Sequence, residues 1–257
     1  MAADPIKLRS NLGRSTPHTV IVRGHDLPGE LMGRLNFGDM AFLQIMGRVP
    51  DAAESTVFNA MLVALVEHGM TPSALAARLT LSGAPESVQA AVAAGLNGIG
   101  SRFAGTMEGA ARVLSAALAG TAGETPDYPA LAAQIVETHA REGRHLPGIG
   151  HPLHRPLDPR AERLRELARE QGREGPHLHL MWAISEAAAQ RSGKVLPVNV
   201  TGAIGALVCE LGIDARIARG IAVISRAVGL VGHLREEMDH PMADTLYKRV
   251  EAEVSGP

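Results

Sequence analysis

The chain has 257 residues, 46% of them hydrophobic and 20% charged, enough to bury a sizeable core; this excludes a disordered or fibrous protein. A formal net charge of −2 without a basic run argues against a nucleic-acid partner, and a lone cysteine, Cys209, excludes an intrachain disulfide. The opening "MAADPIKLRS" lacks the apolar stretch of a signal peptide, and no apolar run is expected to reach membrane-spanning length, so the expectation is a soluble, cytoplasmic protein.

In chain order, residues 1–27 read as irregular, with a short hairpin around "HTVIVRG". Helical signals then take over. "DLPGELMGRL" and "NFGDMAFLQIMG" are short and amphipathic. "AESTVFNAMLVALVEHG" sets Val57, Ala60, Met61, Ala64 and Leu65 on one stripe of 3.6-residue period. In "GMTPSALAARLTLSG", Thr71 is a natural N-cap, Pro72 takes the first helical position and Gly83 suits the exit. "SVQAAVAAGLNGIG" and "MEGAARVLSAALAG" follow, and residues 120–129 read as a Gly- and Pro-rich loop. "ALAAQIVETHAREG", "RAERLRELAREQG", "LHLMWAISEAAAQRSG", "VTGAIGALVCELG" and "IARGIAVISRAVGLVGHLREE" complete the helices. With aromatics at 3%, the core must be built from small and aliphatic residues, which lets helices approach closely and points to an all-α fold. Segments 57–66, 73–81 and 87–97 are apolar on several sides, which favours a helical layer shared with a second subunit.

The run "PGIGHPLHRPLDPR" (147–160) concentrates His151, His154, Asp158 and Arg160. Zinc is disfavoured there, because Pro152 breaks a helical spacing between the histidines, no cysteine is near, and the "HLH" at 177–179 supplies no recognisable ligand pattern. Asp158 reads as an N-cap with Pro159 at the first helical position. Gly148 and Gly150 keep the backbone open ahead of His151, as a loop does when a ligand comes close to its amides. Trp182 and Met181 read as core. Cys209, with no flanking base, reads as structural.

This run resembles the G-x-G-H…D-P-R segment of the citrate synthase superfamily. "VEHGMTPSALAARL", "GLNGIGSRFAGTMEGAARVL", "LPVNVTGAIGALVCELGI" and "VISRAVGLVGHLREE" resemble four more of its segments, in family order and at family-like separations. Within the family, the short length and these variants look most like small bacterial citryl-CoA lyases. The resemblance implies an all-α homodimer with an active site in the cleft between a large domain (residues 1–104 plus 206–257) and a small, CoA-binding domain (105–205). It implies a CoA thioester as substrate, no metal, and a 2-oxo acid joined or released at a carbon–carbon bond. His68 would bind the oxo acid, and His151 would exchange a proton with its carbonyl or hydroxyl oxygen. Arg160 and Arg226 would grip carboxylates. Pro147, Gly148, Ile149 and Gly150 would lie along the CoA.

Two catalytic positions depart from the family. Its enol-stabilising histidine falls on Phe103 and its proton-abstracting aspartate on Thr201; a hydroxyl cannot replace a carboxylate base unaided. A family arginine near the C-terminus falls near His240. The departures favour a lyase over a synthase, with Glu108 or Asp239 as candidate replacement acids. The alternative is a catalytically weak protein of the same fold that binds acyl-CoA or a polycarboxylate.

Overall fold

The computed structural model describes residues 10–101, 104–121, 125–151 and 156–256. Phe103, Arg102 and His154 lie outside them. Among the described residues there are eleven α-helices and one small sheet, in two compact units, Met1–Asn59 and Ala60–Pro257.

In the first unit the expected hairpin gains a third strand. β1 (Gly13–Ser15), β2 (Val20–Val22) and β3 (His25–Asp26) pair antiparallel in sequence order. The expected helix in "DLPGELMGRL" shrinks to one π-helical turn, Leu27–Leu31, because Pro28, Gly29 and Gly33 crowd a ten-residue segment and Gly33 turns out at φ 74°. α1 (Phe37–Met46) starts at the side-chain cap of Asn36, and α2 (Ala52–Val66) begins in this unit and ends in the second. Phe42 meets Phe58 edge to face at 5.3 Å, and Arg48 lies over Phe42 while forking onto Glu54 with both bonds at 2.6 Å.

The second unit is helical throughout. α3 (Pro72–Gly83) begins as expected, Thr71 Oγ1 accepting from the Ala74 amide. α3 pairs with α4 (Val88–Asn97), and α10 (Ala218–Asp239) packs on both; Ala77, Leu81, Ala91, Leu230 and Leu234 form their shared core. α5 (Gly105–Ala119) lies on α9 (Val200–Glu210), and α6 (Tyr128–Arg141) lies on α8 (Pro176–Ser192). α7 (Pro159–Glu170) also packs on α9. α9 is therefore the hub, buried from Gly202 to Val208. Its Gly205 carries the close approach the composition implies: a Cβ there would stand 2.8 Å from the Met107 carbonyl oxygen of α5.

Two expectations need correction. The stretch Ala215–Asp239 does reach membrane-spanning length, with 25 helical residues that include an 18-residue window of mean hydropathy 1.4; in this fold it packs on α3 and α4, with Ile221, Leu230 and Leu234 fully or almost fully buried. A final helix, α11 (Ala243–Ser255), was not expected. Among its residues only Ala243 is buried, although Leu246, Tyr247, Val250 and Val254 recur at the three- and four-residue steps of a helix face.

Candidate active site

The site grows from one loop and the start of α9. Ile149 bridges Val198 antiparallel, and the amides of Gly150 and Asn199 donate to Pro197 and Gly148 at 2.7 and 3.0 Å. Asn199 fastens both pieces. Its Nδ2 donates to the Gly150 carbonyl at 2.8 Å, while its Oδ1 caps α9 by accepting from the amides of Thr201 and Gly202. Gly148 is buried at φ 81°, and a Cβ there would stand 2.4 Å from the Gly202 Cα. Backbone thus packs on backbone, so Gly148 has a structural necessity in addition to any role beside a ligand.

Asp158 ties two helix starts to one arginine. Fully buried, it accepts from the Arg160 amide at 3.1 Å and the Val200 amide at 3.0 Å, and it holds the Arg160 guanidinium through Nε (3.1 Å) and Nη2 (2.9 Å). Burial pushes its carboxyl up, but the Arg160 bonds and charge and the two amides outweigh burial and keep it below the usual carboxylate range. Its stabilisation is therefore complete above the ordinary carboxylate pKa and fades as pH falls through the lowered folded value. Asp158→Asn is expected to destabilise the protein by about 1.5–3 kcal/mol at neutral pH and to lessen the loss of stability on acidification. Denaturant melts at two pH values check this; an unchanged neutral stability would sink it.

These supports surround a cavity of about 1160 Å³ within the second unit. His68, His151, Arg160, Arg226 and Thr201 all line it, with Gly148, Ile149 and Gly150. The His68 and His151 rings stand 5.8 Å apart, although 83 positions separate them in the chain. Arg226 Nη1 is buried without a hydrogen-bond partner among the described residues. Burial pushes its guanidinium pKa down, and the Glu67 charge opposes that. Glu67 is the one carboxylate among the described lining residues. The rest of the described lining includes Leu65, Ile99, Met107 and Leu196, with Arg144, His145 and Arg191 as further basic groups. Such a cavity can hold an anionic ligand and offer it an imidazole.

Other candidates sit elsewhere. Glu108 is bonded to Arg112 at 2.8 Å and lies 3.6 Å from Arg219, Asp239 pairs with Arg235, and His240 ends α10; none of the three lines the cavity. Pro147 does not line it either, its ring lying over Gly109. Met181 is core, but Trp182 is only half-buried, donating to Glu162 beneath the Arg165 guanidinium. Burial pushes the Cys209 thiol up, against the activation a nucleophile needs. No group of three histidine, cysteine or acidic residues among the described residues could hold a metal ion.

Thr201 receives a hydrogen bond from Thr106 Oγ1 at 2.9 Å and donates to Asn199 Oδ1 at 2.6 Å. Thr106, Asn199 and Glu67 went unnoticed in the sequence. All three stand inside quoted motifs, Glu67 directly before His68 and Asn199 two residues before Thr201, where inspection could have found them.

Residues 33–248 match the family model described as citrate synthase, C-terminal domain. The chain belongs to the citrate synthase family. Citryl-CoA lyase from Hydrogenobacter thermophilus is 33% identical with a TM-score of 0.81, over 91% of this chain and 88% of that one. An ATP citrate lyase mutant from Methanosaeta concilii, solved with (3S)-citryl-CoA, shares the fold at a TM-score of 0.76 and 21% identity, over 93% of this chain and 40% of that one. A probable ATP-citrate synthase of Dictyostelium discoideum is 25% identical over 79% of this chain. The chain spans about a third, 34%, of that relative's length.

Proposed function

We propose that the chain is a carbon–carbon lyase for a CoA thioester, cleaving citryl-CoA or a related 3-hydroxy-polycarboxyl-CoA into an acyl-CoA and a 2-oxo acid. The observation that carries this reading is the meeting of His68, His151, Arg160 and Arg226 in one cavity. Similarity over 91% of the chain to a citryl-CoA lyase supports it. Arg160 and Arg226 hold carboxylates, and His68 binds the oxo-acid portion. His151 takes the proton of the tertiary hydroxyl as the oxygen becomes a carbonyl. The carbon–carbon bond breaks, its electron pair passes into the thioester as an enolate, and the enolate carbon takes a proton from water. His151 returns its proton to solvent, so no net water is consumed.

Thr201 favours this direction. Condensation would begin by removing a proton from an acyl-CoA carbon, and a threonine hydroxyl already donating to Asn199 is no base for that step. Gly148, Ile149 and Gly150 lie along the CoA in this reading, with Arg144, His145 and Arg191 toward its phosphates. The proposal includes the division into large and small domains and a homodimer. Val63, Val228 and Val231, each more than half exposed, support a second copy.

Incubation with (3S)-citryl-CoA, following oxaloacetate by coupled malate dehydrogenase and NADH oxidation, tests the reaction. Rapid release is expected. No release, together with a melting temperature raised by CoA, would replace the lyase by a binding protein of the same fold.

A further inference from the structure

α10 turns one stripe, Arg226, Gly229, His233 and Glu237, toward the end of α2 and toward α3, at the three- and four-residue steps of a helix face. At Gly229 the two backbones nearly touch: a Cβ there would stand 2.0 Å from the Val66 carbonyl oxygen and 3.4 Å from Glu67 Oε2. One residue on, the Glu67 carboxylate folds back on its own chain, accepting from the amide of His68 at 2.8 Å and from that of Gly69. Its other oxygen lies 2.9 Å from His233 Nε2, off the line of an ideal hydrogen bond.

The polarity of His233 follows from its other edge. Nδ1 faces Arg78 Nε at 3.2 Å and Nη2 at 3.0 Å. A guanidinium only donates, so Nδ1 accepts and the proton of the neutral ring sits on Nε2, toward Glu67. Arg78 is 1% exposed and is bonded to Glu237 at 2.9 Å and to Glu236. A directed series therefore runs from the α10 carboxylates through Arg78, His233 and Glu67 to the amides of the turn that carries His68. His68 itself is exposed, so burial does not hold it in place.

We propose that Glu67 and His233 are positioning residues that fix the His68 turn, and through it the His68 imidazole beside His151. The kinetic arm rests on the lyase reading; the spectroscopic arm does not. Glutamine can keep both edges of His233, its carbonyl accepting from Arg78 and its amide donating toward Glu67. Phenylalanine keeps the ring and loses both.

The test compares His233→Gln and His233→Phe with the natural protein, using ring-carbon NMR of labelled histidine with the His68 signal assigned by its loss in His68→Gln, alongside kinetics on (3S)-citryl-CoA. In the Phe variant the His68 signal is expected to move and kcat to fall roughly tenfold or more with CoA-induced melting shifts retained. The Gln variant is expected to keep the natural His68 signal and most of the rate. Should His233→Phe not fold, Glu67→Ala, which truncates a side chain 48% exposed, is expected to give the same displacement. Equal behaviour of the Gln and Phe variants, or an unmoved His68 signal in both His233→Phe and Glu67→Ala, would overturn the proposal. A natural protein inactive on citryl-CoA would overturn the lyase reading and leave the NMR comparison to decide the positioning.

Discussion

His151→Ala is expected to lower the rate of citryl-CoA cleavage by roughly 10²–10⁴-fold while CoA still raises the melting temperature. The size of the effect follows from what else lines the cavity. Arg160 and Arg226 stay protonated and cannot accept the hydroxyl proton. Glu67 is turned to the amides of His68 and Gly69. Thr201 already donates to Asn199. Of the other imidazoles in the lining, His139 is bonded to the Ile135 carbonyl, His145 is placed toward the CoA phosphates in the proposed reading, and His68, 5.8 Å from His151, holds the acid in that reading rather than reaching the reacting oxygen. In the proposed reading CoA lies along the 148–150 loop, which is held by Asn199 and by the packing of Gly148 on Gly202, contacts that do not involve the His151 ring. Oxo-acid release and thermal melts with CoA separate the two effects. Release at the natural rate would remove His151 from the chemistry.

What the sequence disclosed and what it hid divide along a physical line. Local signals read correctly: Thr71 and Pro72 start α3, and Asp158 and Pro159 start α7, because a cap is decided within four residues. The motif resemblance brought His68, His151, Arg160 and Arg226 together before any coordinates did. Partnerships across the chain were not legible. Arg78 and His233 are 155 positions apart, and periodicity says only that each lies on a helix, not that the two helices present them to each other. Gly148 drew attention for its freedom beside a ligand, whereas its close packing on Gly202, 54 positions later, has no sequence signature. α11 is the exception on the local side: Leu246, Tyr247, Val250 and Val254 recur at helical spacing, so its signal was present in the sequence although the helix was not expected.

The two cavity arginines are expected to answer substitution with opposite signs in the free protein. Arg160 is held through two guanidinium nitrogens by the fully buried Asp158, so Arg160→Met strands a carboxylate and lowers stability by about 1.5–3 kcal/mol. Arg226 Nη1 is buried with no hydrogen-bond partner among the described residues, a desolvation penalty of about 1–3 kcal/mol that the Glu67 charge opposes but does not outweigh. Arg226→Met, of similar length, removes that penalty, so the free protein is expected to melt at the same temperature or higher. The loss appears on binding. A carboxylate brought to Arg226 repays its desolvation with a charge-assisted bond, and truncating such a pair weakens binding by about 2–4 kcal/mol. That corresponds to an affinity for citrate or oxaloacetate lower on the order of 10²-fold. Calorimetric titration with either acid and melts of the free variants measure both quantities. Unaltered affinity would take Arg226 out of the acid site, and a melting temperature depressed as far as that of Arg160→Met would make it a structural cation. A stabilised protein that no longer holds the acid is the signature of a residue kept at a cost to the fold for the sake of its ligand.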